Sequence, residues 1–238
     1  MKGGIFLTGE WKKLIMANYI IDPAILLPYI PAKTELDYYN NNCYVSLVGF
    51  MFKEVKIKGI KIPFHINFPE VNLRFYVRYK EDSVWKRGVV FISEIVPRPA
   101  IVFVANTLFK EHYKNMPMKY TWDMDGDKQA IEYCWKFKGN WNSLKYTTNK
   151  VATALPANSE AEFITEHFWG YSDKGNKKTI EYHVQHPRWD VYDVNEYAIK
   201  CDFENLYGQP FADLTNRIPD SIFMAEGSAI KIFNKKVL

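Results

Sequence analysis

The residues with the clearest chemical potential in this 238-residue chain lie in one short segment with a period of two. Glu70, Asn72, Arg74 and Tyr76 alternate with Val71, Leu73, Phe75 and Val77, as in a β-strand with one polar and one apolar face. The polar row is either the solvated face of a half-exposed strand or the lining of a barrel lumen. In a lumen, this row would suit a small carboxylate- or carbonyl-bearing ligand, because Arg74 offers a carboxylate two parallel hydrogen bonds.

A second candidate, Glu94, interrupts an otherwise apolar strand that contains Ile92, Ile95 and Val96. Apolar surroundings disfavour the charged form of a carboxyl group, so the pKa of Glu94 is expected to be raised. Such a group could act as a general acid or base. The alternative is a structural ion pair with Arg98.

The sequence predicts neither a metal site nor a cofactor. His183 and His186 are three positions apart on a predicted strand, so they point to opposite faces and cannot easily share one ion. The chain has no glycine-rich phosphate loop and no Gly-x-Ser-x-Gly elbow, which argues against nucleotide binding and serine hydrolysis.

These side chains must be positioned mainly by strands. A 16% share of aromatic residues favours β structure, and strands are predicted over residues 14–21, 44–55, 71–79, 88–96, 119–124, 129–137, 141–153, 179–184, 191–203 and 228–233. Short helices are predicted over residues 23–27, 99–109 and 159–167. There is no repeat, linker or composition break, so residues 1–238 are expected to form a single, mostly β (α+β) domain, a barrel or sandwich.

Charge and cysteine content limit the partners. A net charge of +4, without a block of like charges, gives no sign of nucleic-acid binding. No apolar run is long enough to span a membrane, and the first residues do not resemble a signal peptide. Three widely spaced cysteines indicate a reducing compartment, so a cytoplasmic location is expected.

Several segments resemble the uncharacterised YqjF-like family of bacterial proteins. The matching text is FHINFPEVNLRFYV (64–77), GVVF (88–91), EIVPRPA (94–100), YVSLVG (44–49), MPMK (116–119) and Trp11. The resemblance covers most of the chain and implies an acetoacetate-decarboxylase-like antiparallel barrel with a few short helices.

The wider resemblance to acetoacetate decarboxylases concerns three motifs. Phe68-Pro-Glu70 resembles their Tyr-x-Glu segment, and Pro97-Arg-Pro-Ala-Ile101 resembles the Asn-Glu-Pro-Ala-Ile start of a helix. Pro117-Met118-Lys119 stands where those enzymes have Pro-Lys-Lys, so Met118 replaces the lysine that forms the Schiff base and Lys119 takes the accessory position. The longer connection makes Lys114 another candidate. An amine nucleophile would need a pKa lowered by an apolar pocket or a neighbouring cation.

Three functional hypotheses follow, and the sequence does not decide whether the protein is an enzyme. The first is a binding protein for a small organic (keto) acid or similar metabolite, without Schiff-base decarboxylation. Its expected ligand-binding residues are Glu70, Asn72, Arg74, Tyr76, His65 and Met118. The second is a lyase-like enzyme that forms an imine on Lys119 or Lys114, with Glu70 and Glu94 moving protons. The third is a structural or interaction protein, with Trp169, Trp189 and Tyr192 at contacts between subunits. A homo-oligomer is compatible with all three.

Overall fold

The computed structural model describes residues 4–238, and the architecture is mostly β, as the sequence predicts. The strands are β1 Ile5–Ile21, β2 Glu35–Leu36, β3 Cys43–Ile57, β4 Phe68–Glu81, β5 Val84–Val96, β6 Tyr113–Asn115, β7 Met118–Asp123, β8 Lys128–Phe137, β9 Asn140–Asn149, β10 Thr153–Ala154, β11 Trp169–Gly175, β12 Lys178–Gln185, β13 Asp190–Tyr192, β14 Val194–Lys200, β15 Ser221–Phe233 and β16 Lys236–Val237. The α-helices are α1 Pro23–Leu26, α2 Pro99–Val104, α3 Glu160–Thr165 and α4 Phe203–Tyr207. Leu27–Tyr29 and Gln209–Thr215 form 3₁₀ turns, and Ala105–Phe109 forms a π-helical turn that continues α2.

Seven strands close into a barrel in the order β15-β1-β3-β4-β5-β11-β12. Closure comes from the pairing of β12 with β15, where Val184 lies opposite Ile232 and Gln185 lies opposite Lys231. Neighbouring strands run antiparallel, except that β5 and β11 are parallel. The short strand β6 also joins β5 in parallel, which places Tyr113 opposite Glu94.

A second sheet, ordered β14-β9-β8-β7, packs on the outside of the barrel. The apolar row of β4 belongs to the same buried cluster as Ile131, Tyr133, Trp135, Leu144 and Tyr146 of this sheet. Gly49 of β3 permits the close packing, because a Cβ there would lie 2.8 Å from Cδ2 of Tyr133. Side chains alternate along a strand, so the polar row of β4 faces the barrel interior.

Local signals in the sequence explain several element ends. Asp22 caps α1 by accepting a 2.9 Å hydrogen bond from the Ala24 amide, and Ser159 caps α3 by accepting one of 3.1 Å from the Glu162 amide. Pro99 occupies the first turn of α2, where a missing amide hydrogen carries no cost. The hairpin between β7 and β8 is formed around residues 124–127, as predicted.

Several predicted elements have wrong bounds, and one strand was missed. The strand predicted over residues 228–233 begins at Ser221. Strand β1 begins at Ile5 rather than at residue 14, because its polar first half pairs with β15 and continues through an irregularity at Lys13, where φ is 53°. Strand β11 was not predicted, since Gly170, Gly175 and the polar residues between them resemble a loop. The predicted strand 191–203 is two strands followed by α4, whose start is capped by Asp202.

Candidate ligand-binding site

Two neighbouring cavities lie within the barrel and beneath helix α2. The larger has a volume of about 300 Å³ and the smaller about 70 Å³. They share five lining residues: Phe52, Glu94, Tyr113, Tyr182 and Ile232. The junction between the cavities is therefore where a bound molecule would meet polar groups of the chain.

Apolar side chains form most of the larger cavity. The walls come from β1, the end of β3, α2 with its π-helical extension, and the start of β4, and they include Phe6, Leu7, Phe52, Val55, Phe68, Ile101, Val104 and Phe109. The exposed Ile62 and the half-buried His65 lie at the rim, in the segment between β3 and β4. An apolar chamber of this kind favours an apolar ligand body, because burying such a body removes its surface from water.

Two carboxyl groups close the inner end of this cavity. Glu94 is 2% exposed and Glu111 is 6% exposed. The Tyr182 hydroxyl donates a 2.8 Å hydrogen bond to Oε1 of Glu111. In contrast, Oε2 of Glu94 is buried without a hydrogen-bond partner among the described residues. Because an unpaired buried oxygen is costly, Glu94 is, among the described residues that line the larger cavity, the one most in need of an external partner.

A third carboxyl group, Glu70, lies on the neighbouring strand β4. Its Oε1 accepts a 3.0 Å hydrogen bond from Asn72, and its Oε2 accepts one of 3.0 Å from the Tyr113 hydroxyl. Asn72 is the cross-strand partner of Glu94, so the register of β4 and β5 brings the two carboxylates to the same side of the sheet. The pairing of β4 with β5 thus places Glu70 and Asn72 of β4 next to Glu94 of β5.

Burial dominates the electrostatics of the three carboxyl groups. Desolvation raises the pKa of Glu70 to about 7 and that of Glu111 to about 8. The pKa of Glu94 is raised well above its ordinary value by desolvation and then by the negative charges of Glu111 and Glu70. The raised pKa of Glu94 agrees with the expectation from the sequence, and near neutral pH the cluster holds protons that ordinary carboxylates would have lost.

Basic and imidazole groups line the smaller cavity in addition to Glu70 and Glu94. Arg74 contacts it from β4, and His167 and His186 contact it from the opposite wall. Desolvation lowers the pKa of each histidine to about 4, so both are neutral near pH 7. The guanidinium of Arg74 is therefore the charged cation of this cavity. It donates a 3.4 Å hydrogen bond to the Ile164 carbonyl, and its Nε has no partner among the described residues.

The structure gathers four of the sequence-predicted residues at the cavities and a fifth nearby. Glu70, Asn72, Arg74 and Glu94 line the smaller cavity, and His65 lies at the rim of the larger one. Tyr76 points into the barrel but lines neither cavity. Its hydroxyl lies 2.7 Å from Oγ of Ser46, and its ring is covered by Phe163 and His167. A contact between Tyr76 and a ligand therefore stays a prediction that neither cavity supports.

The residues expected around a nucleophilic lysine lie elsewhere. Met118 and Lys119 belong to β7, in the outer sheet, where Lys119 is exposed with its Nζ 4.6 Å from the centre of the Trp141 ring. Lys114 points away from the lumen, since its strand neighbour Tyr113 points in, and its Nζ donates a 2.8 Å hydrogen bond to the Leu206 carbonyl. No lysine among residues 4–238 lines either of the two cavities. Pro117-Met118-Lys119 resembles the lysine motif in sequence, but in the structure Met118 and Lys119 lie on the outer sheet and not in the barrel.

Sequence analysis did not single out Glu111, Tyr113 and Tyr182. Glu111 and Tyr113 share a face of the segment that ends in the three-residue strand β6, which is too short for a period to be recognised. Tyr182 shares one strand face with Ile180 and Val184, so its pattern is that of an ordinary core strand. Tyr113 reaches Glu94 through the parallel pairing of β6 with β5, and Tyr182 reaches it because β11 and β12 continue the barrel wall beyond β5.

Two further searches concern the whole described region. Within residues 4–238, histidine, cysteine, aspartate and glutamate side chains form no group of three or more that could hold a metal ion. None of the helices of this region has the length and hydropathy needed to cross a bilayer.

Comparison with known proteins places these features in a family. The DUF2071 family model, described as an uncharacterized conserved protein, matches residues 8–229. The uncharacterized protein YqjF of Bacillus subtilis (strain 168) is 30% identical over 190 residues, which cover 77% of this chain and 75% of that protein. The resemblance to YqjF-like proteins drawn from the sequence is confirmed.

Solved structures of low sequence identity share the fold. Acetoacetate decarboxylase from Legionella pneumophila superposes with a TM-score of 0.67 at 13% identity, covering 99% of this chain and 88% of that one. The enduracididine biosynthesis enzyme MppR, complexed with pyruvate, gives a TM-score of 0.68 at 9% identity, covering 97% of this chain and 90% of that one. The acetoacetate-decarboxylase-like fold is thereby confirmed.

Proposed function

The chain belongs to the DUF2071 family of uncharacterized conserved proteins, and we propose that this member binds a small, largely apolar organic metabolite inside its barrel. One observation carries the proposal. The apolar cavity of about 300 Å³ ends at Glu94, a buried carboxyl group with one oxygen that has no partner within the described chain. The cavity walls hold the body of the ligand and the carboxyl end orients it.

The size and lining of the cavity agree with this role. Sites for small molecules typically occupy roughly 300–1,000 Å³ and combine apolar walls with a few well-placed polar groups. Each buried methylene of a ligand contributes about 0.8 kcal/mol of transfer free energy. A body of several carbons would therefore bind measurably even before its polar end is satisfied.

A small keto acid is a more specific candidate that one residue supports. Arg74 in the smaller cavity could hold a carboxylate, with Glu70 and Asn72 beside it. The fold neighbour MppR is known in a complex with pyruvate, which is consistent with a keto acid in this type of barrel. In this candidate the acid binds without a Schiff base.

Lysine-based lyase chemistry is the second candidate, and the fold likeness to acetoacetate decarboxylase favours it. Lys114 would be the nucleophile, since burial lowers its pKa. Its amine would first have to leave the Leu206 carbonyl and turn towards the lumen.

A thermal-shift screen tests the main proposal. Purified protein is heated with a panel of small ketones, alcohols, amines and keto acids, and each compound that raises Tm is repeated with Ala105→Phe, which places a ring in the larger cavity. Phe103→Ala is the matched control, because Phe103 lies on the same helix but is 71% exposed. Stabilisation that survives in Phe103→Ala and disappears in Ala105→Phe supports the cavity as the site. Equal stabilisation of both variants, or none by any compound, would overturn the proposal.

A further inference from the structure

We propose that the inner end of the larger cavity selects a ligand bearing a primary or secondary ammonium group, which Glu94 and Glu111 bind. The inference rests on the proposed function and names the chemical class of the ligand's polar end. It departs from the keto-acid candidate, in which that end is an anion.

The first argument is the imbalance of charged groups. Glu94 and Glu111 line the larger cavity, and among residues 4–238 the only basic side chain that lines it is His65, at the rim. No lysine or arginine within residues 4–238 forms a salt bridge with Glu94 or Glu111. Arg74 lines the smaller cavity and not the larger one, and its charge acts to lower the pKa of Glu70. The described residues therefore provide Glu94 and Glu111 with no cation of their own.

The second argument is the unused hydrogen-bonding capacity. Oε2 of Glu94 has no hydrogen-bond partner among the described residues, and Oε1 of Glu111 accepts one hydrogen bond, from the Tyr182 hydroxyl. A carboxylate accepts hydrogen bonds, and an ammonium group offers two or three donors and no acceptor. A ligand carboxylate offers only acceptors, so it could pair with Glu94 and Glu111 only while both acids keep their protons.

The third argument is the aromatic content of the wall. The rings that line the larger cavity are those of Phe6, Phe52, Phe68, Phe109, Tyr113 and Tyr182. An ammonium group near the face of an aromatic ring is attracted by the ring, and more strongly when it is desolvated. Rings and carboxylates together thus favour a cation with an apolar body over a neutral molecule of the same shape.

Proton uptake and release give the proposal a second readout. The groups that face Glu94 are Glu70 from β4, Glu111 and Tyr113 from β6 and the segment before it, and Tyr182 from β12, with Arg74 further along β4. An ammonium ligand stabilises the ionised carboxylates, so its binding releases protons and tightens as the pH rises from 6.5 to 8. A carboxylate ligand would take up protons and bind more weakly as the pH rises. An alcohol would show much smaller changes in proton release and in affinity.

The test uses three ligands that differ only in the polar end: hexylamine, 1-hexanol and hexanoate. Titration calorimetry of the full chain at pH 6.5 and 8.0, in two buffers of different ionisation enthalpy, measures affinity and proton release. We expect hexylamine to bind at least tenfold more tightly than 1-hexanol, with hexanoate weakest and with protons released on binding of the amine.

Variants assign the preference to the two carboxyl groups. In Glu94→Gln and Glu111→Gln the preference for hexylamine over 1-hexanol should fall tenfold or more, while 1-hexanol still binds and so reports an intact cavity. Glu196→Gln, an exposed residue of the outer sheet, should keep the preference. Equal or tighter binding of 1-hexanol or hexanoate, or an amine preference that persists in both variants, would overturn the inference and leave the proposed function standing. Failure of all three ligands to bind would overturn both.

Discussion

The ring of Tyr182 lies against the backbone of Gly170, its cross-strand partner in the β11–β12 pair. A Cβ at position 170 would lie 2.1 Å from Cζ of Tyr182, so any larger residue would displace the ring. The displaced hydroxyl is the one that donates to Glu111. One glycine in a strand therefore fixes the position of a hydrogen bond at the inner end of the cavity.

Gly170→Ala should destabilise the protein and disturb the site together. We expect a loss of about 1–3 kcal/mol in the free energy of unfolding, because a close-packed ring is forced to move. Urea unfolding measures this loss. The affinity for any cavity ligand should fall in parallel.

A double variant separates this clash from other effects of the alanine. Tyr182→Ala leaves room for the new methyl group, so adding Gly170→Ala to it should cost much less than adding it to the wild type. Additive losses in the two backgrounds would show that Tyr182 does not confine position 170.

The stability of the ligand-free protein should fall between pH 6.5 and 8. The folded pKa values of Glu111 (about 8) and Glu94 lie above the ordinary carboxyl value, so in this range the folded state holds protons that the unfolded state has lost. Each such group lowers the free energy of unfolding by up to about 1.4 kcal/mol per pH unit, until the pH passes its folded pKa. Below pH 6.5 the trend is opposed by His167 and His186, whose lowered pKa makes stability rise with pH.

Glu111→Gln tests the origin of this slope. Urea midpoints between pH 6.5 and 8 should show a shallower slope in the variant, since one of the protonated carboxyl groups is replaced by a group that does not titrate. Glu54→Gln is the control, because the pKa of the exposed Glu54 is lowered by its contact with Lys61 and it is ionised in both states across this range. A slope unchanged in Glu111→Gln, or a wild-type stability that rises with pH, would contradict the assignment.

The alternation of polar and apolar residues in β4 made this part of the barrel wall predictable. The alternation is present although neither face of the central part of β4 is exposed to water. One face packs on the outer sheet and the other lines the lumen, yet the residues themselves still alternate. What the pattern could not give was the closure of the barrel. That step depends on β11, a strand of glycines and polar residues, and on the pairing of β12 with β15 across a long stretch of sequence.

Only part of the candidate site could be predicted from the strand pattern. Glu70 and Glu94 stand out because a carboxylate in an apolar strand is unusual. Glu111 does not stand out, since it follows a helix in a polar segment whose burial is decided by tertiary contacts alone. Lys119 was expected through a motif, and the three-dimensional path of the chain placed it on the outer sheet.

Borohydride trapping should give no adduct. When the protein is incubated with pyruvate, acetoacetate or other small keto acids and then reduced, the intact mass should stay unchanged, because no lysine of residues 4–238 lines either cavity. Lys119→Ala should leave ligand binding unaffected. A stable adduct mapped to Lys114 or Lys119 by peptide digestion would favour the lyase candidate instead.

Asp37→Asn should weaken the wall behind the smaller cavity. Asp37 is buried and accepts hydrogen bonds of 2.6 Å from Arg87 and 3.2 Å from His167. Burial alone would raise the pKa of Asp37, but these hydrogen bonds outweigh it and hold the pKa below its usual value. We expect the substitution to cost about 1–3 kcal/mol in urea unfolding at pH 7, since a buried, charge-assisted contact is lost.

Glu35→Gln provides the comparison for that experiment. Glu35 also pairs with an arginine, Arg78, at 2.7 Å, and Arg78 is as exposed as Arg87 (37% each), but the side chain of Glu35 is 54% exposed against 6% for Asp37. Its loss should change stability by about 0.5 kcal/mol or less. Equal effects of the two substitutions would mean that the burial of Asp37 does not strengthen its contacts.

The most direct test of the cavity as a binding site is a crystal structure with the compound that raises Tm most in the screen. The structure predicts electron density for the ligand between α2 and the barrel rim, with its apolar body among Phe6, Phe52 and Phe109 and its polar atom within hydrogen-bonding distance of Oε2 of Glu94. Density at any other place on the protein, with this cavity free of ligand, would contradict the account.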